Sequence, residues 1–227
     1  MTDLTLPDLI AILWFAACWL GYTHLADHSR LHKRSVSAAM SDYRHRWMRE
    51  MLKRENRIVD TQALGNLLNG AAFFASSTIL AIGGLFALLG ATEKAIELAE
   101  SWPFALPVSR FAWEMKVMLL LIIFVYAFFK FVWAYRLFNY CSVLIAAAPV
   151  DWQDDPTAEE IAERAARVND LAAGHFNRGL RAFFFTLAAL TWFLHPFVFM
   201  AVTAWVVRVL YRREFRSRSL AAIRDSL

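Results

Sequence analysis

Cysteine is nearly absent: Cys18 and Cys141 are the only two in 227 residues, and no CxxC spacing occurs. Neither a disulfide framework nor a thiolate metal site is expected. Lys and Arg are missing from Met1 to Leu20. No basic segment precedes the first apolar run and no small-x-small cleavage site clearly follows it, so that run is expected to stay as a helix rather than act as a cleaved signal. No P-loop, dinucleotide glycine pattern, nucleophile elbow or HExxH is present, and carboxylates are confined to the loops. An acid pair cannot be assembled from such a distribution, and an enzyme is the weaker class.

What is abundant is apolar sequence. The chain is 59% hydrophobic with a mean hydropathy of +0.39, too apolar for an ordinary soluble domain. Four stretches approach the roughly 20 apolar residues that cross a bilayer: Leu6 to Tyr22, Leu67 to Leu89, Met118 to Trp133 and Phe183 to Val207. The expectation is an all-α polytopic membrane protein, a single domain over residues 1–227 with four transmembrane helices and added cytoplasmic amphipathic helices.

Charge suggests how those helices are oriented. Arg30, Lys33, Arg34, Arg44, Arg46, Arg49, Lys53, Arg54 and Arg57 fill the first loop, whereas Ala91 to Ser109 carries Lys94 against Glu93, Glu97 and Glu100. By the positive-inside rule the first loop is cytoplasmic and the N-terminus is outside. Arg164, Arg167, Arg178 and Arg181 make the third loop cytoplasmic too. Simple alternation then sends the tail with Arg208, Arg212, Arg213, Arg216 and Arg218 outside, against the rule. His195-Pro196 interrupts the last apolar run and offers two outcomes, a kinked single span or a re-entrant hairpin that returns the tail to the cytoplasm. The kinked span needs no protein shelter for its backbone and is the expectation. The overall charge of +4 suits anionic lipid headgroups beside the spans better than nucleic acid, which is not expected as a partner.

Two cytoplasmic helices are expected, near 36–58 and 158–180. The first has no Gly or Pro and sets Met40, Tyr43, Trp47, Met51 and Ile58 at near-helical spacing. It either lies on the membrane surface or packs within the protein's own cytoplasmic layer. Thr157 and Glu160 have capping-box spacing at the start of the second. Trp102, Pro103, Pro107 and Trp113 suggest an outer turn with aromatic anchors.

The second span carries the most unusual pattern. At 100° per residue, Gln62, Asn66, Asn69, Ser76 and Ser77 fall within an arc of about 100°. One reading is helix–helix glue in a homo-oligomer. The other is a water-filled path for an ion or polar solute, with Arg54 and Arg57 as a basic vestibule.

Other candidates are single residues or short runs. His24, His28 and His32 recur every four residues and are candidates either for a metal site or for a solvated stripe. His195, placed mid-membrane, relays protons, ligates haem or hydrogen-bonds a backbone group freed by Pro196. Lys130 snorkels to the interface or lines an anion path. The residues name no cofactor.

The runs "DYRHRWMREMLKRENRIVDTQALGNLLNGAAFFASSTILAIGG", "FVWAYRLFNYCSVLIAAAP" and "NRGLRAFFFTLAALTWFLHPFVFMAVTAWVVRVLYRREFRSRS" resemble a bacterial inner-membrane family, with plant relatives, catalogued as a domain of unknown function. The resemblance covers nearly the whole chain. It implies a multi-pass helical protein of the bacterial inner (plasma) membrane and supplies no catalytic residue. The functional expectation is an oligomeric channel or transporter for a small ion or polar solute; the alternative is a non-transporting scaffold or partner subunit that uses the second span as an interface.

Overall fold

In the computed structural model, residues 4–101 and 109–224 are described. Its spine is a helical hairpin. Helix α5 (Arg110–Ala147) contains neither Gly nor Pro over 38 residues and starts at Ser109, whose hydroxyl accepts from the Ala112 N–H at 3.2 Å. Pro149 lies just past its end, where a proline cannot continue a helix. Helix α6 (Ala158–Leu190) returns antiparallel along it. Trp113 meets Phe193 at one end with ring centroids 4.8 Å apart. At the other end the Cys141 thiol donates to the Ala165 carbonyl at 3.5 Å.

The remaining long helices pack on this hairpin. Helix α1 (Leu6–His28) runs opposite to α6: Trp192 donates to Asp8 at 2.8 Å, Phe15 contacts Phe185, and Asp27 pairs with Arg178. Helix α3 (Ile58–Gly90) lies antiparallel on α5, with Phe74 stacked on Phe131 at 5.2 Å and Glu93 paired with Arg110. Helix α2 (Val36–Leu52) packs on the N-terminal half of α6, and α4 (Thr92–Glu100) follows α3. Helices α1, α3 and α5 are long and apolar enough to cross a bilayer. The chain is an all-α membrane protein.

The expected single kinked helix over 183–207 is corrected. Helix α6 ends at Leu190, a short turn covers Thr191–Phe193, and α7 (Pro196–Phe215) runs back in the opposite direction. Three local causes converge. Pro196 has no N–H to donate and sits at the start of α7, where none is needed. His195, preceding it, takes the extended conformation (φ −163°, ψ 140°) that a following proline favours. Its Nδ1 then accepts the Phe197 N–H at 3.2 Å, so the side chain caps the new helix. Helix α7 lies beside α1 and parallel to it, as Trp14 donating to the Met200 carbonyl at 3.2 Å requires. Near its C-terminus Glu214 accepts the Ser37 N–H at 3.0 Å, and in α8 (Arg218–Arg224) Arg224 donates to the Lys33 carbonyl at 2.9 Å. The basic tail and the basic first loop therefore share one end of the bundle. Among the described residues, Lys94, Arg110 and Lys116 are the cations of the opposite end.

Several boundaries shift. The helix expected over 36–58 ends at Leu52, and the helix expected over 158–180 is continuous with the apolar run that follows it, as α6. Thr157 forms no capping box; its N–H and hydroxyl both donate to Asp155 instead, at 2.8 and 2.6 Å. Carboxylates are also not confined to loops: Asp8 and Asp60 are buried in the first turns of α1 and α3. Trp102, Pro103 and Pro107, expected in an outer turn, lie outside the described residues.

Two apolar clusters hold the bundle. One, toward the Trp192 end, joins Phe15, Phe131, Phe185, Trp192 and Phe199. The other, at the basic end, sets Met48, Met51, Leu64, Phe138 and Ile145 against the alanines of α6, Ala158 to Ala172. Small residues on α6 bring helices close. At Gly179 an added Cβ would stand 2.6 Å from the ring of Phe131, which is itself fully buried.

Candidate functional site: a charged chamber at the basic end

The polar stripe of α3 faces away from the bundle. Gln62, Asn66, Asn69 and Ser76 are exposed and Ser77 is half-buried, so one chain encloses no path along them. Register with α5 also lowers the stripe. Phe74 stands at Phe131 and Arg57 at Ile145 and Ala148, so Asn69 falls level with Tyr135 and Arg136, and Asn66 with Phe138 and Asn139. Both lie beyond Lys130, toward the basic end. Ser77, nearer the middle, donates to its own helix at Phe73 O, 2.8 Å away, which satisfies a hydroxyl without a partner helix.

Arg54 and Arg57 form no open vestibule. Arg54 pairs with the buried Asp60, which also accepts from Trp47 at 2.7 Å. The Arg57 guanidinium donates to the carbonyls of Ile145, Ala148 and Pro149 at 3.1, 2.6 and 2.6 Å. It caps α5, whose last carbonyls have no intrahelical partner.

Only two of the three histidines are brought together. His24 and His28 stack at 5.4 Å on α1, which ends at His28. His32 lies in a separate 3₁₀ turn, with its Nδ1 2.9 Å from the Ala26 carbonyl. Among the described residues no group of three His, Cys, Asp or Glu could hold a metal ion. His195 is not mid-bundle but at the α6–α7 turn, level with Trp113. Lys130 lies over the Tyr126 ring at 5.1 Å, a cation resting on an aromatic face.

A constellation the sequence did not single out lies where α1, α2, α6 and α7 meet at the basic end. There a cavity of about 380 Å³ is lined by Asp27, Arg44, Asp170, Arg178, Arg181, Arg213 and Glu214, with Tyr22, His32, Ser41 and Asn177 among its other walls. Small-molecule sites fall in the range of about 300–1,000 Å³. Asp27 takes Arg178 at 2.7 Å and Arg181 at 2.6 Å, so one carboxylate serves two cations. Asp170 accepts from Arg44 at 3.2 Å and from Ser41. Arg213 stands over the Phe184 ring at 5.3 Å. Four guanidinium groups thus face three carboxylates.

Arg181 is the notable member. It is 9% exposed, and its Nε, buried, has no hydrogen-bond partner. A buried donor left unpaired costs about 1–3 kcal/mol.

The chamber's outer wall is held by a second charged group. His45 on α2 lies 3.0 Å from Glu163 and 3.1 Å from Asp170, both on α6. The Arg167 hydrogen bond, and after it that of His45, hold the Glu163 carboxyl below its usual range. Of the two readings of the helix expected over 36–58, packing within the protein's own basic layer is the one these contacts of α2 support.

Three helices that can cross a bilayer, joined to a helical layer rich in arginine, define a helical membrane protein. The chain belongs to the family described as Protein of unknown function, DUF599, whose model matches residues 10–219. Neither a curated protein nor a solved structure matches it.

Proposed function

We propose that this chain is an inner-membrane protein that binds a small anion, or an anionic group, in the chamber between α1, α2, α6 and α7, with the chamber facing the cytoplasm. The observation that carries the reading is the charge of the lining: four arginines, the buried Arg181 among them, face three carboxylates around one cavity. Guanidinium groups bind carboxylate and phosphate through paired N–H donors. The sidedness follows from the charges, because α2, the start of α6 and the tail gather nearly all the Lys and Arg at one end.

On this reading five helices run through the bundle. Trp113 and Trp133 on α5 mark the two interfaces, about 30 Å apart at 1.5 Å per residue. Asn66 and Asn69 then stand in the wet inner layer, which answers their polar character without a pore.

The test is binding of inorganic phosphate to the purified protein in detergent, read by calorimetry and by the thermal midpoint. The expected result is saturable binding that weakens at least tenfold in Arg181→Lys, which keeps the charge and loses the planar fork, and also in Arg213→Gln at the mouth. Equal binding in wild type and both variants defeats the proposal.

A second reading rests on the outward face of α3, only 6% buried over its most apolar window. Copies of the chain meet there, with Asn69 and Ser76 hydrogen-bonding across the contact. Cysteine at Phe73, exposed on the same face, would then cross-link between copies in membranes, and Asn69→Leu with Ser76→Leu would abolish the dimer.

A further inference from the structure

The chamber does not stand alone. On the outer side of the same two helices, α1 and α7 leave an apolar groove of about 450 Å³, lined by Ala17, Cys18, Gly21, Leu25, Ala204 and Val207. Tyr22 lines both the groove and the chamber. Arg208 and Tyr211 close the groove at its basic end, less than two helical turns before Arg213 and Glu214 at the chamber.

We propose that the anion is the phosphate of a membrane phospholipid, held with its head group in the chamber against Arg178, Arg181 and Arg213 and with one acyl chain along the α1–α7 groove. The inference rests on the anion-binding reading and deepens it. Three observations favour a lipid over a free anion. The groove is apolar from Ala17 to Leu25 of α1, a helix long and apolar enough to cross a bilayer. Small residues, Ala17, Gly21 and Ala204, leave the groove open, and a Cβ added at Gly21 meets nothing within 4 Å. The cationic excess begins where the apolar lining stops, the pairing of charge and hydrocarbon that an anionic lipid presents at the cytoplasmic leaflet. Tyr22, with an aromatic body and a hydroxyl tip, stands at that boundary as amphipathic rings do at interfaces.

The groove and the chamber are separable by substitution. Gly21→Leu places a branched side chain in open space, so the helices stay packed while the groove is filled. Arg213→Gln removes charge at the chamber's exposed mouth. The full-length protein would be placed in nanodiscs of neutral phosphatidylcholine containing a minor fraction of phosphatidylglycerol. Bound lipid would then be read by native mass spectrometry after detergent extraction, and inorganic phosphate binding measured in parallel. The expected result is retained phosphatidylglycerol on wild type, lost at least fivefold in both variants, with phosphate binding kept in Gly21→Leu and weakened in Arg213→Gln. Phosphate binding with no retained phosphatidylglycerol, or retention unchanged in Gly21→Leu, overturns the lipid assignment while leaving the anion site standing. Retention and phosphate binding both indifferent to Arg213 overturn the two readings together.

Discussion

Asp27 on α1 and Arg181 on α6 meet at 2.6 Å with their side chains only 15% and 11% exposed, and the same carboxylate also holds Arg178. This is the ion pair on which the chamber is built. It fastens the basic end of α1 to α6 while leaving one donor of Arg181 free. Removing the shared carboxylate leaves two partly buried cations without a counter-charge, and breaking a buried pair typically costs about 3–5 kcal/mol. Asp27→Asn is expected to lower stability by about 3 kcal/mol, seen as an earlier thermal transition in detergent. Arg178→Gln, at a more exposed position, should cost less. Equal effects would mean the pair is not the anchor.

Packing between α5 and α6 makes a second prediction. Gly179→Ala would drive a methyl group to 2.6 Å from the Phe131 ring, and overpacking of this kind costs about 1–3 kcal/mol. Gly21→Ala, in open space, should be neutral. Thermal unfolding of the two variants side by side checks the contrast; equal midpoints would contradict the close α5–α6 approach.

Arg57 is expected to matter through α5 rather than through any ion path. Its three bonds to carbonyls of Ile145, Ala148 and Pro149 satisfy a helix end, and hydrogen bonds to charged groups contribute about 1.5–3 kcal/mol. Arg57→Ala should accelerate amide exchange in the last turn of α5 and leave phosphate binding at the chamber unchanged. Loss of binding with no change in exchange would restore the vestibule role.

The α2–α6 clamp should loosen in acid. Glu163 has a carboxyl held below its usual range by Arg167 and His45. A depressed carboxylate pKa contributes stability that is present above the unfolded value near 4.5 and lost as pH falls through the folded value. Amide exchange in α2 is therefore expected to rise below that pH in wild type, and to rise less steeply in Glu163→Gln.

Much of the architecture is readable from residue pattern alone. The apolar runs that became α1, α3 and α5 are long, and hydropathy reports length and composition directly. The reversal at residues 191–195 was less legible, because His195-Pro196 suits a kink and a turn equally and only packing of α7 at Met200 against Trp14 of α1 decides between them. The tail's arginines were the available clue: they violated alternation under a single span and satisfy the positive-inside rule once α7 returns. The chamber was harder still. Asp27, Asp170, Arg178, Arg181 and Glu214 come from three helices, and their spacing along the chain carries no motif. The amides of α3, conspicuous in sequence, stand exposed on its outward face, with Asn69 level with Arg136 by register with α5.

The central claim is that the chain turns back at His195, so that the basic loop, the tail and the chamber share one face of the membrane, which we propose is the cytoplasmic one. The direct measurement is labelling of single cysteines by a membrane-impermeant maleimide in intact cells, in a protein whose Cys18 and Cys141 are replaced by alanine. His195→Cys is expected to react from outside. Ser219→Cys should react only after the membrane is opened. Labelling of Ser219→Cys in intact cells would contradict the account.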